Sequence, residues 1–338
     1  MAKHRIVVAG CGGMSNTWID YAIKRENAEI VGLVDIYEES AKSMAAKKGL
    51  DVPTFTDLGA ALEATGANLV FDVTIPASHK QVAITAMRAG CNVFGEKPMA
   101  ESYEDAKEIV AVSGETGKRY SVMQNRRYLP QIRSFRDLLR NDTIGTVGSI
   151  HADFYLGAHF GGFRDLMDSP LIVDMAIHTF DQARFIIDAD PVSVYCHEFN
   201  PPGSWYKGNA SAICIFEMSD GSVFSYRGSW CADGLNTSWE SDWRVTGSKG
   251  GARWDGFGMP YGEYVDASKP DAFIREMTRF EGTKDWNGQE GHFGCFDEMF
   301  AALEEDRPAE TDCLDNIKSV AMVFGAVESA RTGQKVML

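Results

Sequence analysis

Five short apolar runs alternate with four amphipathic stretches across residues 1–123, the rhythm of a parallel sheet with helices laid over its faces. The runs are Arg5 to Ala9, Glu29 to Val34, Leu69 to Val73, Asn92 to Phe94 and Tyr120 to Met123. Helical periodicity fills the gaps at Met14 to Arg25, Glu38 to Lys48, Lys80 to Ala89 and Tyr103 to Thr116. Parallel neighbours need crossovers of this kind, so the spacing predicts a doubly wound α/β domain over 1–123. In such a sheet ligands bind beyond the carboxyl ends of the strands, so the residues just after each run carry the functional information.

Beyond Gln124 the rhythm changes. A helix near Leu129 to Leu139 leads to a strand near Ser149 to Tyr155, and a second helix is expected at Ile172 to Ile187. Alternating runs follow at Ser193 to Glu198, Ala210 to Glu217, Ser222 to Gly228 and Ser241 to Thr246, with turn signals such as Ser219-Asp220-Gly221 between them. This pattern predicts an α+β second domain, 124–338, with a large open, mainly antiparallel sheet, closed by helices near Phe296 to Glu304 and Asp315 to Arg331. One helix layer covers only one face of such a sheet. The other face needs a cover of its own, which predicts a homodimer or homotetramer built through it.

The formal net charge of −15 repels phosphate backbones and anionic lipid, and no basic run offsets it; Lys47-Lys48 and Arg126-Arg127 are isolated pairs. Nucleic-acid and membrane partners are therefore not expected. The opening MAKHRIVVAG has too short an apolar run for a signal peptide or a span, and the seven cysteines show no CxxC spacing. Reduced thiols in a cytoplasmic protein are the simpler expectation.

The first run enters Gly10-Cys11-Gly12-Gly13-Met14-Ser15, which follows the G-x-G-x-x-G/A form with Ser15 in the last small position. Glycines there permit a tight turn and close backbone approach, so a pyrophosphate can rest on the following helix N-terminus. A plain strand-to-helix turn, or the similar loop of methyltransferases, would read the same way. The second run ends in Asp35, 20 residues past Ser15, where a carboxylate accepts hydrogen bonds from an adenosine ribose. Asp35 could equally cap the helix that follows, and the two roles are compatible. No arginine stands at 36–40 to hold a 2'-phosphate, so NAD is expected over NADP, with Gly10, Gly12, Gly13, Met14 and Asp35 around it.

After the third and fourth long runs stand Thr74-Ile75-Pro76-Ala77-Ser78-His79 and Gly95-Glu96-Lys97-Pro98, and later Asp174-x-x-x-His178-x-x-Asp181. In this order the motifs resemble the family of glucose-fructose oxidoreductase, inositol dehydrogenase and their relatives (Gfo/Idh/MocA), over nearly the whole chain. The closing segment, with His292, Arg307-Pro308 and a long last helix carrying Ser329, resembles that family too. The resemblance implies a Rossmann domain, an open sheet in the second domain, and pyridine-nucleotide redox chemistry on sugars, cyclic polyols or related compounds. It adds Thr74, His79, Glu96 and Lys97 to the cofactor set. The chain departs from the family where Thr74-Ile75-Pro76 replaces the more usual Thr-Pro-Asn.

Oxidising a secondary alcohol requires a carbon held for hydride transfer and a group to receive the hydroxyl proton. Lys97 and His178 are the candidates. Lys97 follows a strand at the crevice, and Pro98 beside it makes a cis peptide accessible. A free lysine, with a pKa of ~10.4, would polarise the oxygen as a cation, or act as base if burial lowered that value. A solvated loop lysine is the plainer alternative. Asp174, His178 and Asp181, spaced i, i+4 and i+7, would share one helical face. That face suits a carboxylate gripping a substrate hydroxyl with an imidazole relay; a structural network and a metal triad are the other readings, and the absence of a fourth ligand disfavours metal. Arg127, Tyr128, His159 and Arg164 are further candidates for substrate hydroxyls. Six of seven tryptophans lie between 205 and 286 and could stack on sugar rings, line an interface or fill a sheet face. The expected activity is hydride transfer between an alcohol and NAD. A lyase, hydrolase or epimerase that oxidises its substrate only transiently, and a non-catalytic NAD-binding regulator, remain as alternatives.

Overall fold

A computed structural model describes residues 3–268 and 273–338. They fall into two compact units, one running to Asn125 and including His292–Val320, the other comprising Arg126–Gly291 with Ala321–Leu338.

The first unit alternates β1 (His4–Ala9), α1 (Ser15–Lys24), β2 (Ala28–Val34), α2 (Glu38–Lys48), β3 (Thr54–Phe55), α3 (Leu58–Thr65), β4 (Leu69–Asp72), α4 (Pro76–Arg88), β5 (Asn92–Gly95), α5 (Tyr103–Thr116) and β6 (Tyr120–Val122). The strands lie in the order β3-β2-β1-β4-β5-β6, and every pairing is parallel. The order reverses beside β1, at its junction with β4, which places the switch point at the glycine loop. β1, β4 and β5 are buried along nearly their whole length because helices cover both faces. Helix ends follow local chemistry: the Ser102 and Asp57 side chains cap α5 and α3, and glycines in the left-handed region stop α2, α3 and α5. The two-residue β3 and the helix after it were not anticipated, since so short an edge strand has no readable alternation. α4 begins at Pro76, four residues earlier than expected, because proline fits the first turn of a helix.

The second unit holds α6 (Pro130–Arg140), β7 (Val147–Tyr155), α7 (Ile177–Ile187), β8 (Pro191–Phe199), β9 (Ser211–Met218), β10 (Val223–Ser229), β11 (Asp242–Gly247), β12 (Gly250–Trp254), β13 (Tyr261–Val265) and β14 (Met277–Glu281). The chain then forms α8 (Gly291–Glu304), α9 (Cys313–Thr332) and β15 (Val336–Met337). The nine strands run β14-β13-β12-β11-β7-β10-β9-β8-β15. The sheet is mainly antiparallel but not a simple meander, because β7 lies between β11 and β10 and pairs with β10 in parallel. Its inner face is built from alternate residues such as Ala212, Cys214 and Phe216, packed on the layer of α6 and α7. Trp230, Trp243 and Trp254 are fully buried in this core, so half of the tryptophan cluster is packing. The outer face carries Tyr195, Ile213 and Ile215, which are 46%, 45% and 48% exposed, with Tyr195 directly opposite Ile215.

The expected boundary at 123 lies close to the observed one, but the expected second domain, 124–338, is corrected over 292–320. Phe296 and Phe300 of α8 pack against Tyr21, Phe71 and Phe94, within the first unit. Glu304 adds polar ties, accepting hydrogen bonds from Arg25 (2.6 Å), Asn27 (2.9 Å) and His4 (3.0 Å). Partial burial alone would raise the Glu304 carboxyl, but these donors together outweigh it and hold the group down at about 2, against an ordinary 4.5. Its stabilising effect is therefore complete above pH 4.5 and lost as pH falls toward 2. Acid denaturation of Glu304→Gln should accordingly show a shallower loss of stability across that window, checked by circular dichroism; an unchanged acid limb would count against the assignment.

Candidate active site

Gly10 leaves β1 with φ of +90°, and a Cβ placed there would sit 2.5 Å from the Val73 carbonyl oxygen, so only glycine makes this turn. Cβ atoms at Gly12 and Gly13 would meet nothing within 4 Å, which leaves the loop open on its outer side. The loop borders a cleft of about 510 Å³ lined by Gly12, Gly13, Asn16, Ser40, Ser43 and Lys47. Met14 is exposed just before α1. Asp35, at the end of β2, accepts from the Cys11 amide and the Tyr37 amide, each at 2.9 Å, so the carboxylate anchors the glycine loop. Ionised oxygens keep further acceptor capacity for ribose hydroxyls. The open backbone, the helix N-terminus and the carboxylate together suit a dinucleotide. Burial, reinforced by the Asp35 charge, pushes the Cys11 thiol up to about 12, which removes it as a nucleophile.

The other cofactor candidates are differently placed. Thr74 donates its hydroxyl to Asp72 at 2.6 Å. His79, expected at the cofactor from the sequence, is fully buried, with Nδ1 2.7 Å from the Pro98 carbonyl oxygen and Nε2 3.1 Å from that of Thr74. Because α4 starts early, His79 falls in its first turn and points into the unit. Glu96 also turns inward, accepting from the Trp18 indole at 2.8 Å and from the Lys97 amide at 3.2 Å. Lys97 itself is half-buried just beyond β5, and its bond to Pro98 is cis.

One residue near Lys97 was not singled out as catalytic. His292 starts α8 with Nε2 3.9 Å from Glu96, and its Nδ1 is 3.4 Å from the Asn125 side-chain amide. Burial lowers its pKa, Glu96 opposes that, and the Lys97 charge lowers it further, so a neutral imidazole stands in the field of the lysine. His292 lies almost 200 residues after Lys97 in the chain, and only the packing of α8 on the first unit brings it there.

In the second unit a π-helical turn over Leu171–Ala176 runs directly into α7, so the helix expected at Ile172 to Ile187 is present but widened at its start. Along it Asp174 and Asp181 meet different arginines. Asp181 forms a buried, two-pronged ion pair with Arg127, Nε to Oδ2 and Nη2 to Oδ1, both 2.6 Å. The structure thus places Arg127, expected to meet substrate, in a buried ion pair inside the unit. Tyr128 is likewise buried, under the Arg133 guanidinium at 4.8 Å. Asp174 instead accepts from Arg164 Nε at 2.8 Å, and His178 sits buried in the first turn of α7. His159 stacks on Trp205 with ring centres 3.6 Å apart, in the same loop region as Arg164. The neighbour of Arg127 in sequence, Arg126, has partners of another kind. Arg126 donates to the Trp239 carbonyl, lies 3.8 Å from Glu240 and feels the Asp174 charge, while burial lowers its pKa. Two adjacent arginines within a 3₁₀ turn cannot be told apart by pattern alone.

Residues 4–124 match the oxidoreductase family with NAD-binding Rossmann fold, and residues 132–253 match the GFO/IDH/MocA C-terminal domain. An uncharacterized protein of Sinorhizobium fredii, y4oX, is 28% identical over 98% of this chain and 95% of its own length. The inositol 2-dehydrogenase of Rhizobium meliloti is 26% identical over 56% of this chain and 57% of its own, so the match spans little more than half of that relative. An oxidoreductase from Agrobacterium radiobacter, crystallised with NAD+, L-tartaric acid and magnesium, shares the fold with a TM-score of 0.85 at 20% identity, covering 99% of this chain and 98% of that one. Among the described residues no helix is long and apolar enough to cross a membrane. With a glycine loop and carboxylate fitted to a dinucleotide in one unit and family matches along both, the chain belongs to the GFO/IDH/MocA family of oxidoreductases, and its cofactor is NAD.

Proposed function

We propose that this protein is a cytoplasmic dehydrogenase that oxidises a secondary alcohol of a sugar, sugar derivative or cyclic polyol, reversibly, with NAD. The observation that carries this reading is Lys97, half-buried at the carboxyl end of β5 in the unit that holds the dinucleotide loop. NAD, when bound, supplies the hydride acceptor. Lys97 orients the reacting hydroxyl as an ammonium or deprotonates it as a neutral amine, and His178 passes the proton onward. Asp174, held by Arg164, binds a neighbouring substrate hydroxyl, with His159 and Arg164 shaping specificity. The matching family members named above include an inositol dehydrogenase, which favours a polyol-type alcohol. A panel of polyols, pyranoses and keto-sugars, followed by NADH absorbance, tests the reading: at least one alcohol should reduce NAD+, and silence across the panel would count against it.

Coenzyme choice follows from Asp35. NAD+ should turn over faster than NADP+, since a 2'-phosphate would meet this carboxylate, which is followed by the exposed Ile36 and Tyr37 and by no arginine at 36–40. Asp35→Ala should narrow the preference mainly by weakening NAD+, as kcat/KM for the two coenzymes will show; equal use of both by the unaltered enzyme would remove the assignment.

The working form is a homodimer or homotetramer joined through the outer sheet face. Ile215→Asp puts a charge among Tyr195 and Ile213 and should shift the particle seen by light scattering to a single 37.2 kDa chain. An unaltered protein that is already monomeric would contradict this.

A further inference from the structure

The His79 ring poses a proton-counting problem. Nδ1 lies 2.7 Å from the Pro98 carbonyl oxygen and Nε2 lies 3.1 Å from the Thr74 carbonyl oxygen, and the side chain has no exposure to water. A carbonyl oxygen only accepts. A neutral imidazole has one N–H, so one of these contacts would set two lone pairs against each other in a dry interior. Both contacts are satisfied only when each nitrogen carries a proton, which makes the ring a cation.

A buried cation requires a counter-charge, and β4 supplies one. The wholly buried Asp72 carboxylate accepts from the Thr74 hydroxyl and amide through Oδ1, while Oδ2 has no hydrogen-bond partner. Burial raises the Asp72 carboxyl, and the positive charge of His79 is the largest influence opposing that rise. Thr74 thus links the two charges, donating to Asp72 while its carbonyl accepts from His79. No other ionised side chain is in hydrogen-bond contact with the His79 ring among the described residues.

We propose that His79 is a positioning residue: as an imidazolium balanced by Asp72, it clamps the Thr74 loop to the Pro98 carbonyl and so fixes the segment that carries Lys97. This rests on the role proposed for Lys97, but the clamp itself can be tested without substrate. It also explains why a histidine placed among the cofactor candidates has no surface of its own.

Asparagine carries its amide nitrogen about where Nδ1 stands, and glutamine about where Nε2 stands. His79→Asn therefore keeps the bond to Pro98, whereas His79→Gln loses it. Amide hydrogen exchange over residues 95–100 should rise by about tenfold or more in His79→Gln and stay within about twofold in His79→Asn, the scale of one charge-assisted hydrogen bond. With an alcohol that turns over, kcat should fall by about tenfold in His79→Gln with little change in KM, and much less in His79→Asn. In the unaltered protein, ¹H–¹⁵N spectra of labelled histidine near about pH 7.5 should show protons on both His79 nitrogens. One bare ring nitrogen, or equal exchange over 95–100 in the two variants, overturns the clamp. The spectra decide the matter even if neither variant folds. Absence of turnover on every alcohol tested would count against the proposed reaction, not against the clamp.

Discussion

Lys97→Ala is expected to bind NAD nearly as well as the unaltered enzyme and to lose at least ~100-fold in kcat, since positioned acid-base help is worth about 10² to 10⁴ in rate. Binding should survive because the glycine loop and Asp35 stand after β1 and β2, whereas Lys97 follows β5. His178→Ala should produce a loss of similar size. If both residues serve one proton path, the double variant will lose less than the product of the single losses. Asp174→Ala differs, because removing a group that holds substrate should raise KM as well. Fluorescence titration with NADH and steady-state kinetics separate these outcomes. Near-normal kcat in Lys97→Ala on a genuine substrate would end the assignment.

The second large effect concerns stability. Asp181→Ala should destabilise the protein by about 3–5 kcal/mol, because the Arg127 guanidinium would be left buried without its principal partner. Replacing both members with apolar residues, as in Arg127→Met with Asp181→Leu, should recover most of that loss, since two desolvated charges disappear together. Urea denaturation reads both. The double variant also separates structure from recognition: kcat/KM should survive in it if the pair only supports the fold. A stable double variant with KM raised by tenfold or more would restore Arg127 to the substrate site.

The readable parts of the chain were those governed by local rules. β1, β2, α2 and α5 sit where apolar period, capping serine and terminal glycine place them, and the dinucleotide loop follows from glycines between a strand and a helix. What failed depended on contacts distant in sequence or on one-residue choices of facing. The ownership of 292–320 is decided by Phe296, Phe300 and Glu304 finding partners in α1, β4 and the segment after α1. Asp174 and Asp181 lie on one continuous helix, yet which arginine each meets, Arg164 or Arg127, is decided by tertiary packing that spacing does not show. For the same reason Arg127 turned inward and Arg126 toward Glu240. His79 stands in a motif that suggests a ligand, yet which residue of α4's first turn faces inward is invisible to any pattern.

The central claim is net hydride transfer from an alcohol carbon to NAD+. The most direct measurement uses an alcohol from the panel that carries deuterium on its carbinol carbon, with product ketone and coenzyme analysed by mass spectrometry and NMR. The account predicts one NADH per ketone, with the deuterium at nicotinamide C4 and retained there in the released coenzyme. Turnover of the sugar with no accumulation of NADH, and with the deuterium returned to the product, would show a transient oxidation instead and would contradict it.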